Sequence, residues 1–104
     1  MISIKYRYQN ETLKELTVRG HAGYQTKGKD IVCAAVSTAT IVTANALKQL
    51  KLDSYVNLVV EDGYFNILVH EHTSVLDGLL ANLEYTFYEL EKQYPKYMKN
   101  QKEG

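Results

Sequence analysis

Cys33 and His21 are the two residues whose chemistry stands out, because a thiol and an imidazole together can cleave a peptide bond. The imidazole takes the thiol proton and later returns it to the leaving amine. The chain has 104 residues and a single cysteine, so this thiol has no internal disulfide partner. Gly20 to Asp30 contains Gly20, Gly23 and Gly28. This segment predicts a loop that lets the two groups approach and closes over a bound peptide.

Other interpretations of the same two residues remain open at this point. A lone cysteine is often a small buried hydrophobe, and an exposed thiol can serve as a redox sensor. The sensor hypothesis lacks a second cysteine to resolve the oxidised thiol. A histidine flanked by glycines can equally be a surface residue.

The residues after the loop predict a helix from about Ile31 to Leu50. Asp30 is a preferred N-cap type, which would place Cys33 in the first turn. There the helix dipole stabilises a thiolate, and unpaired N–H groups can bind an oxyanion. Asp30 has a second possible role, to orient His21 as the third member of a triad. Ser37 follows Cys33 by four residues, on the same helical face, and is predicted to be a local helper.

Two hairpins and a second long helix complete the predicted fold. Alternation over Ile2 to Tyr8 and around Leu16 and Val18 predicts two strands joined by a polar turn. Asp62-Gly63 predicts a type I′ turn, which would set the pairs Glu61–Tyr64, Val60–Phe65, Leu58–Ile67 and Val56–Val69.

The last helix is predicted to begin at Ser74, with Asp77 completing a variant capping box. Residues 96–104 are polar and are predicted to be a frayed tail of a single domain spanning 1–104. The order ββαββα predicts an α+β domain, a mainly antiparallel sheet packed with two helices.

Composition argues against several classes of partner. Lys plus Arg equals Asp plus Glu, at 12 each, whereas nucleic-acid binders usually carry net positive charge, so no direct nucleic-acid binding is expected. The N-terminus has no signal-peptide pattern and the apolar runs are interrupted, so no membrane partner is expected and the predicted location is cytoplasmic. His70 and His72 share a strand face but lack further ligands in the sequence, so no metal site is predicted.

One segment resembles a known family. The run Gly20-His21-Ala22-Gly23, then Gly28, then Asp30 to Ser37 closely resembles the signature of the ribosomal-processing cysteine proteases, the Prp family. The resemblance covers nearly the whole chain and is specific at the positions that matter.

The resemblance implies a function in some detail. His21 and Cys33 would be the catalytic dyad, and Gly20, Ala22, Gly23, Tyr24, Asp30 and Ser37 would support it or contact substrate. The family removes an N-terminal extension from the bacterial large-subunit ribosomal protein numbered twenty-seven, cutting after a hydrophobic stretch with adjacent phenylalanines. Its members are cytoplasmic homodimers without a cofactor. An alternative is a non-catalytic ribosome-associated binding module, since family membership does not by itself prove activity.

Overall fold

The computed structural model describes residues 1–20 and 27–103, with side chains for 1–20 and 31–103. A five-stranded sheet is covered on one face by two helices. The sheet order is β3-β4-β2-β1-β5, antiparallel except for the parallel pair β1–β5. This confirms the predicted α+β class. The elements are β1 Ile2–Gln9, β2 Thr12–Arg19, α1 Lys27–Gln49, a 3-10 helix Asp53–Tyr55, β3 Val56–Glu61, β4 Tyr64–Val69, α2 Ser74–Gln93 and β5 Met98–Glu103.

The core lies between the sheet and the helices, and strand alternation builds it. Ile2, Ile4 and Tyr6 of β1 are buried while Lys5 is exposed, as a period of two requires. The helices contribute buried side chains at helical spacing. The buried apolar side chains from α1 are Val32, Val36 and Leu47, and those from α2 are Leu76, Leu80, Leu83 and Phe87.

The predicted register of the β3–β4 hairpin is confirmed, including the Glu61–Tyr64 and Val56–Val69 pairs. The predicted turn type is wrong. Gly63 has φ 70°, but Asp62 does not have a positive φ, whereas a type I′ turn needs positive φ at both central residues. That backbone occurs instead at Asn10 and Glu11, with φ 53° and 67°, in the predicted turn between β1 and β2.

The predicted start of α2 at Ser74 is confirmed, but the capping interactions differ from the prediction. Thr73 is the N-cap, and its Oγ1 accepts a hydrogen bond from the N–H of Leu76 at 3.0 Å. Ser74 is therefore the first helical residue. Asp77 contacts the His72 ring instead of completing a capping box, with 2.7 Å between Oδ1 and Nδ1. Threonine and serine are both good caps, so residue type alone did not separate the two positions.

The prediction of a frayed tail is wrong, because residues 98–103 form β5 alongside β1. Met98 is buried, and Asn100 is held by α2. The Asn100 side chain donates to Glu91 Oε1 at 2.6 Å and to the Phe87 carbonyl at 3.1 Å. It also accepts from the Tyr6 hydroxyl, and burial raises the pKa of Tyr6, which keeps that donor protonated. Met98 and Asn100 thus hold β5 in place, although the other residues of this strand are polar.

Helix α1 begins at Lys27, four residues before the predicted start. Asp30 therefore lies inside the helix and is not its N-cap. The helix dipole also favours an acidic residue in the first turn. An aspartate near the start of a helix is therefore compatible with either the N-cap or the first turn.

The expectation that apolar runs are too short to span a membrane is wrong for α1. Residues Ile31–Gln49 are long and apolar enough by length and composition alone. Core helices of soluble proteins pass the same test, and α1 places Val32, Val36 and Leu47 in the core.

Candidate active site

An open cleft of about 180 Å³ lies where α1 passes the ends of β2 and the β3–β4 turn. Cys33 is partly buried, packs against the core and lines this cleft. The cleft is largely apolar. Its other lining residues are Ile2, Val18, Gly20, Val36, Ser37, Thr40, Ile41, Val60, Glu61, Asp62, Gly63, Tyr64 and Phe65.

Gly20 is held at the cleft by backbone contacts that a larger residue would disturb. Its N–H donates to the Gly63 carbonyl at 3.0 Å, and its φ is +110°, a conformation that side chains disfavour. A Cβ at this position would overlap the carbonyl oxygen of Met1. The end of β2 is thus held between the N-terminal residue and the β3–β4 turn.

Ser37 lines the same cleft as Cys33, one helical turn further along α1. This agrees with the predicted shared face. Ser37 is exposed, and its carbonyl accepts a hydrogen bond from Thr40 Oγ1 at 2.8 Å. Ser37 is therefore an exposed residue of the same cleft that contains the thiol.

The position of Cys33 within α1 differs from the prediction. With the helix beginning at Lys27, Cys33 is the seventh helical residue and lies in the second turn. The N–H groups that lack intrahelical partners belong to the first four residues, so the Cys33 amide is not one of them. The predicted oxyanion site at the helix start is therefore not formed by the amide of Cys33 itself.

Several predicted site residues fall outside the described part of the chain. His21, Ala22, Gly23 and Tyr24 lie in residues 21–26, and the side chain of Asp30 is likewise outside it. The approach of His21 to Cys33, the orientation of His21 by Asp30 and the closing loop stay predictions. Gly28, predicted to be part of that loop, belongs to α1.

The two histidines near α2 take part in structural contacts. His70 and Glu71 donate their backbone N–H groups to the Tyr55 carbonyl, at 2.8 and 3.2 Å. His72 pairs with Asp77. Among the side chains of residues 1–20 and 31–103, no group of three or more His, Cys, Asp or Glu could hold a metal ion.

Two residues that line the cleft were not predicted as site residues from the sequence, Val60 of β3 and Ile41 of α1. Val60 is 68% exposed and Ile41 is 56% exposed, although their strand and helix positions indicated only apolar packing. An apolar residue at the tip of a hairpin was the available signal. Whether such a residue packs in the core or lines a cleft depends on the distance between α1 and β3, which the sequence does not reveal.

The fold and the cleft define a small α+β protein that presents one thiol in an open apolar groove. The family model described as "Cysteine protease Prp" matches residues 1–99. The chain therefore belongs to the Prp family of cysteine proteases, as the sequence resemblance predicted.

Solved structures show the same fold. The ribosomal processing protease Prp from S. aureus, in complex with a substrate peptide, superposes with a TM-score of 0.89 at 20% identity over 99% of this chain and 100% of that one. The same protease with a covalently linked product peptide gives 0.86 at 22% identity, with the same coverage. SMU.848 from Streptococcus mutans gives 0.82 at 26%, over 98% and 93%. No curated protein matches the chain by sequence.

Proposed function

We propose that this chain is an endopeptidase in which Cys33 is the nucleophile and His21 the general base. One observation carries the proposal. The only cysteine of the chain lines an open cleft together with Gly20, the residue directly before His21. Adjacent Cα atoms are about 3.8 Å apart across a trans peptide. This adjacency in the sequence supports His21 as the base for the thiol in that cleft.

The chemistry follows from the two side chains. His21 takes the Cys33 proton, and the sulfur attacks the carbonyl carbon of the scissile bond to give a tetrahedral intermediate. The C–N bond then breaks as the imidazolium returns the proton to the departing amine. A water molecule, deprotonated by the same imidazole, hydrolyses the thioester and restores the thiol. Ser37 lines the same cleft, and its hydroxyl would donate a hydrogen bond to the bound peptide.

The substrate proposed is the precursor of the bacterial large-subunit ribosomal protein numbered twenty-seven, cut after a hydrophobic stretch that contains adjacent phenylalanines. Membership in the Prp family supports protease activity for this chain. The structurally similar protease from S. aureus is a ribosomal processing protease. The apolar walls of the cleft, including Val36 and Phe65, suit an aromatic side chain. The volume of about 180 Å³ is small beside the roughly 300–1,000 Å³ of pockets for drug-sized ligands, which fits one or two side chains.

The test is digestion of the precursor from the same genome, followed by sequencing of the new N-terminus. Wild-type protein should release one short extension, and Cys33→Ala should release none. An intact precursor, or equal cleavage by Cys33→Ala, would contradict the proposal.

A homodimer working in the cytoplasm is part of the same proposal. Helix α1 has no charged residue from Ile31 to Leu47, yet several of its apolar side chains are exposed, Val42 by 60%. An uncharged helix face of this kind is typical of a surface that a second copy covers.

A further inference from the structure

The two edges of the sheet are protected very differently. β5, at one edge, reads Met98-Lys99-Asn100-Gln101-Lys102-Glu103, and its charges discourage pairing with another strand. β3, at the other edge, reads Val56-Asn57-Leu58-Val59-Val60-Glu61 and carries one charge, at its end. It has neither lysine nor proline. By the usual standards of natural sheets, β3 is an edge open to strand addition.

The register shows which groups β3 presents at this edge. Its two-residue turn makes Glu61–Tyr64 the closing hydrogen-bonded pair, and such pairs alternate along the hairpin. Val59 and Asn57 therefore bond to β4, while Leu58 and Val60 direct their N–H and C=O groups outward. Within residues 1–20 and 27–103, β4 is the only strand that pairs with β3.

This edge ends at the cleft that contains Cys33. Val60 and Glu61 line the cleft together with Cys33 and Ile41 of α1. A chain lying along Leu58 and Val60 would thus run directly into the space in front of the thiol. Its alternate side chains would enter the apolar cleft, and the others would point to the opposite, polar side of the sheet.

We propose that the peptide substrate binds as an additional strand on the outer edge of β3, between that edge and α1. The proposal rests on the peptidase function above, and it names how the substrate is held. Backbone hydrogen bonds to Leu58 and Val60 supply affinity that does not depend on the peptide sequence. The cleft binds every second side chain of the peptide and so supplies specificity. Two adjacent phenylalanines then point to opposite faces, so only one of them enters the cleft.

The test uses a ten-residue fluorescent peptide with a central Phe-Phe pair and a series of its single N-methyl derivatives. Binding is measured by anisotropy with Cys33→Ala, and cleavage with the wild type. Strand addition predicts an alternating pattern, in which methylation at every second residue weakens binding about tenfold, the loss expected for one hydrogen bond with a steric clash. Replacing one phenylalanine by alanine should cost clearly more than replacing the other.

Two substitutions at Val60 in the protein complete the experiment. Val60→Pro removes the outward N–H without breaking a bond to β4, and Val60→Ala is its reference because it shortens the same side chain and keeps the N–H. Val60→Pro should bind the parent peptide about tenfold more weakly than Val60→Ala, with unfolding temperatures showing that both are folded. The N-methyl series needs no altered edge and tests the proposal even if Val60→Pro does not fold.

The outcomes separate the two proposals. An alternating binding pattern without Cys33-dependent cleavage keeps strand addition and rejects the peptidase function. Cys33-dependent cleavage with a flat N-methyl series rejects strand addition alone. If the N-methyl peptides all bind alike and Val60→Pro loses a dimer that the wild type forms, the β3 edge pairs with a second copy of the chain. That result also rejects substrate binding by strand addition. Absence of both binding and cleavage rejects both proposals.

Discussion

Gly20 donates its backbone N–H to the carbonyl oxygen of Gly63, with 3.0 Å between nitrogen and oxygen. This bond joins the end of β2 to the β3–β4 turn at the cleft. The residue that precedes the proposed base is thereby attached to the element that forms the opposite wall. The geometry leaves no room for a side chain, since a Cβ at Gly20 would overlap the Met1 carbonyl.

Gly20→Ala is expected to destabilise the fold and to lower cleavage. The φ of +110° disfavours alanine, and strained positions of this kind cost about 1–3 kcal/mol. Urea unfolding measures the loss. Gly78→Ala is the matched control, because Gly78 is exposed in α2 with nothing within 4 Å of an added Cβ. It should gain up to about 1 kcal/mol of helix stability. Equal effects of the two substitutions would contradict the account of Gly20.

Asn100→Ala is expected to weaken the attachment of β5 to α2. The substitution removes the side-chain bonds to Glu91 and the Phe87 carbonyl and leaves the Tyr6 hydroxyl without its acceptor, whereas the backbone N–H of residue 100 still donates to Glu91. Loss of a buried partner costs about 1–3 kcal/mol. Hydrogen exchange of residues 98–103 should accelerate, while Gln101→Ala, at an exposed position of the same strand, should leave it unchanged. Equal exchange in wild type and Asn100→Ala would show that β5 is held by other contacts.

Glu15 should make stability depend on acid pH. Hydrogen bonds from Asn66 and Arg7 lower the pKa of Glu15 from its ordinary value of 4.5. A carboxylate with a lowered folded-state pKa contributes stability above the unfolded pKa, and that stability is lost as the pH falls through the folded pKa.

The measurement compares urea unfolding of wild type and Glu15→Gln between pH 7 and pH 3. Wild type should be more stable at pH 7, and the difference should shrink below about pH 4.5, the ordinary value. A difference between wild type and Glu15→Gln that is constant with pH would argue against the role of these hydrogen bonds.

Val42→Glu should dissociate the proposed homodimer. The substitution places a charge on the uncharged, exposed face of α1, where contact with a second copy would bury it at a high cost. Sedimentation at micromolar concentration should show the 11.9 kDa monomer for this variant and twice that mass for wild type. Ser54→Glu, at an exposed position in the 3-10 helix, should remain dimeric. A wild-type monomer would reject the dimer without affecting the chemistry.

Sequence patterns predicted the strands well where one face is apolar. Alternation and Asp62-Gly63 gave the β3–β4 register, because a one-residue slip would move Phe65 and Ile67 to the solvent face. β5 was missed because its anchors are one methionine and one asparagine, whose partners lie on β1 and α2. Residues 98–103 form a strand because of tertiary contacts, and an alternating pattern in the local sequence does not reveal such contacts.

For the site, the sequence placed Cys33 and Ser37 on one helical face, and both line the cleft. It missed the start of α1, because aspartate suits both a cap and a first turn. It also missed Val60, since only the spacing between α1 and β3 makes that side chain a cleft wall. The sequence therefore offered candidates for the chemistry, whereas the surface that lines the cleft depends on tertiary spacing.

The most direct test of the central claim is single-turnover cleavage of the ribosomal precursor by wild type, Cys33→Ala and His21→Gln. Cys33→Ala should show no detectable cleavage, because no other thiol exists in the chain. His21→Gln should cleave about 10²–10⁴-fold more slowly, the usual contribution of a general base, and circular dichroism should show that both variants are folded. Cleavage by Cys33→Ala at the wild-type rate would contradict the account.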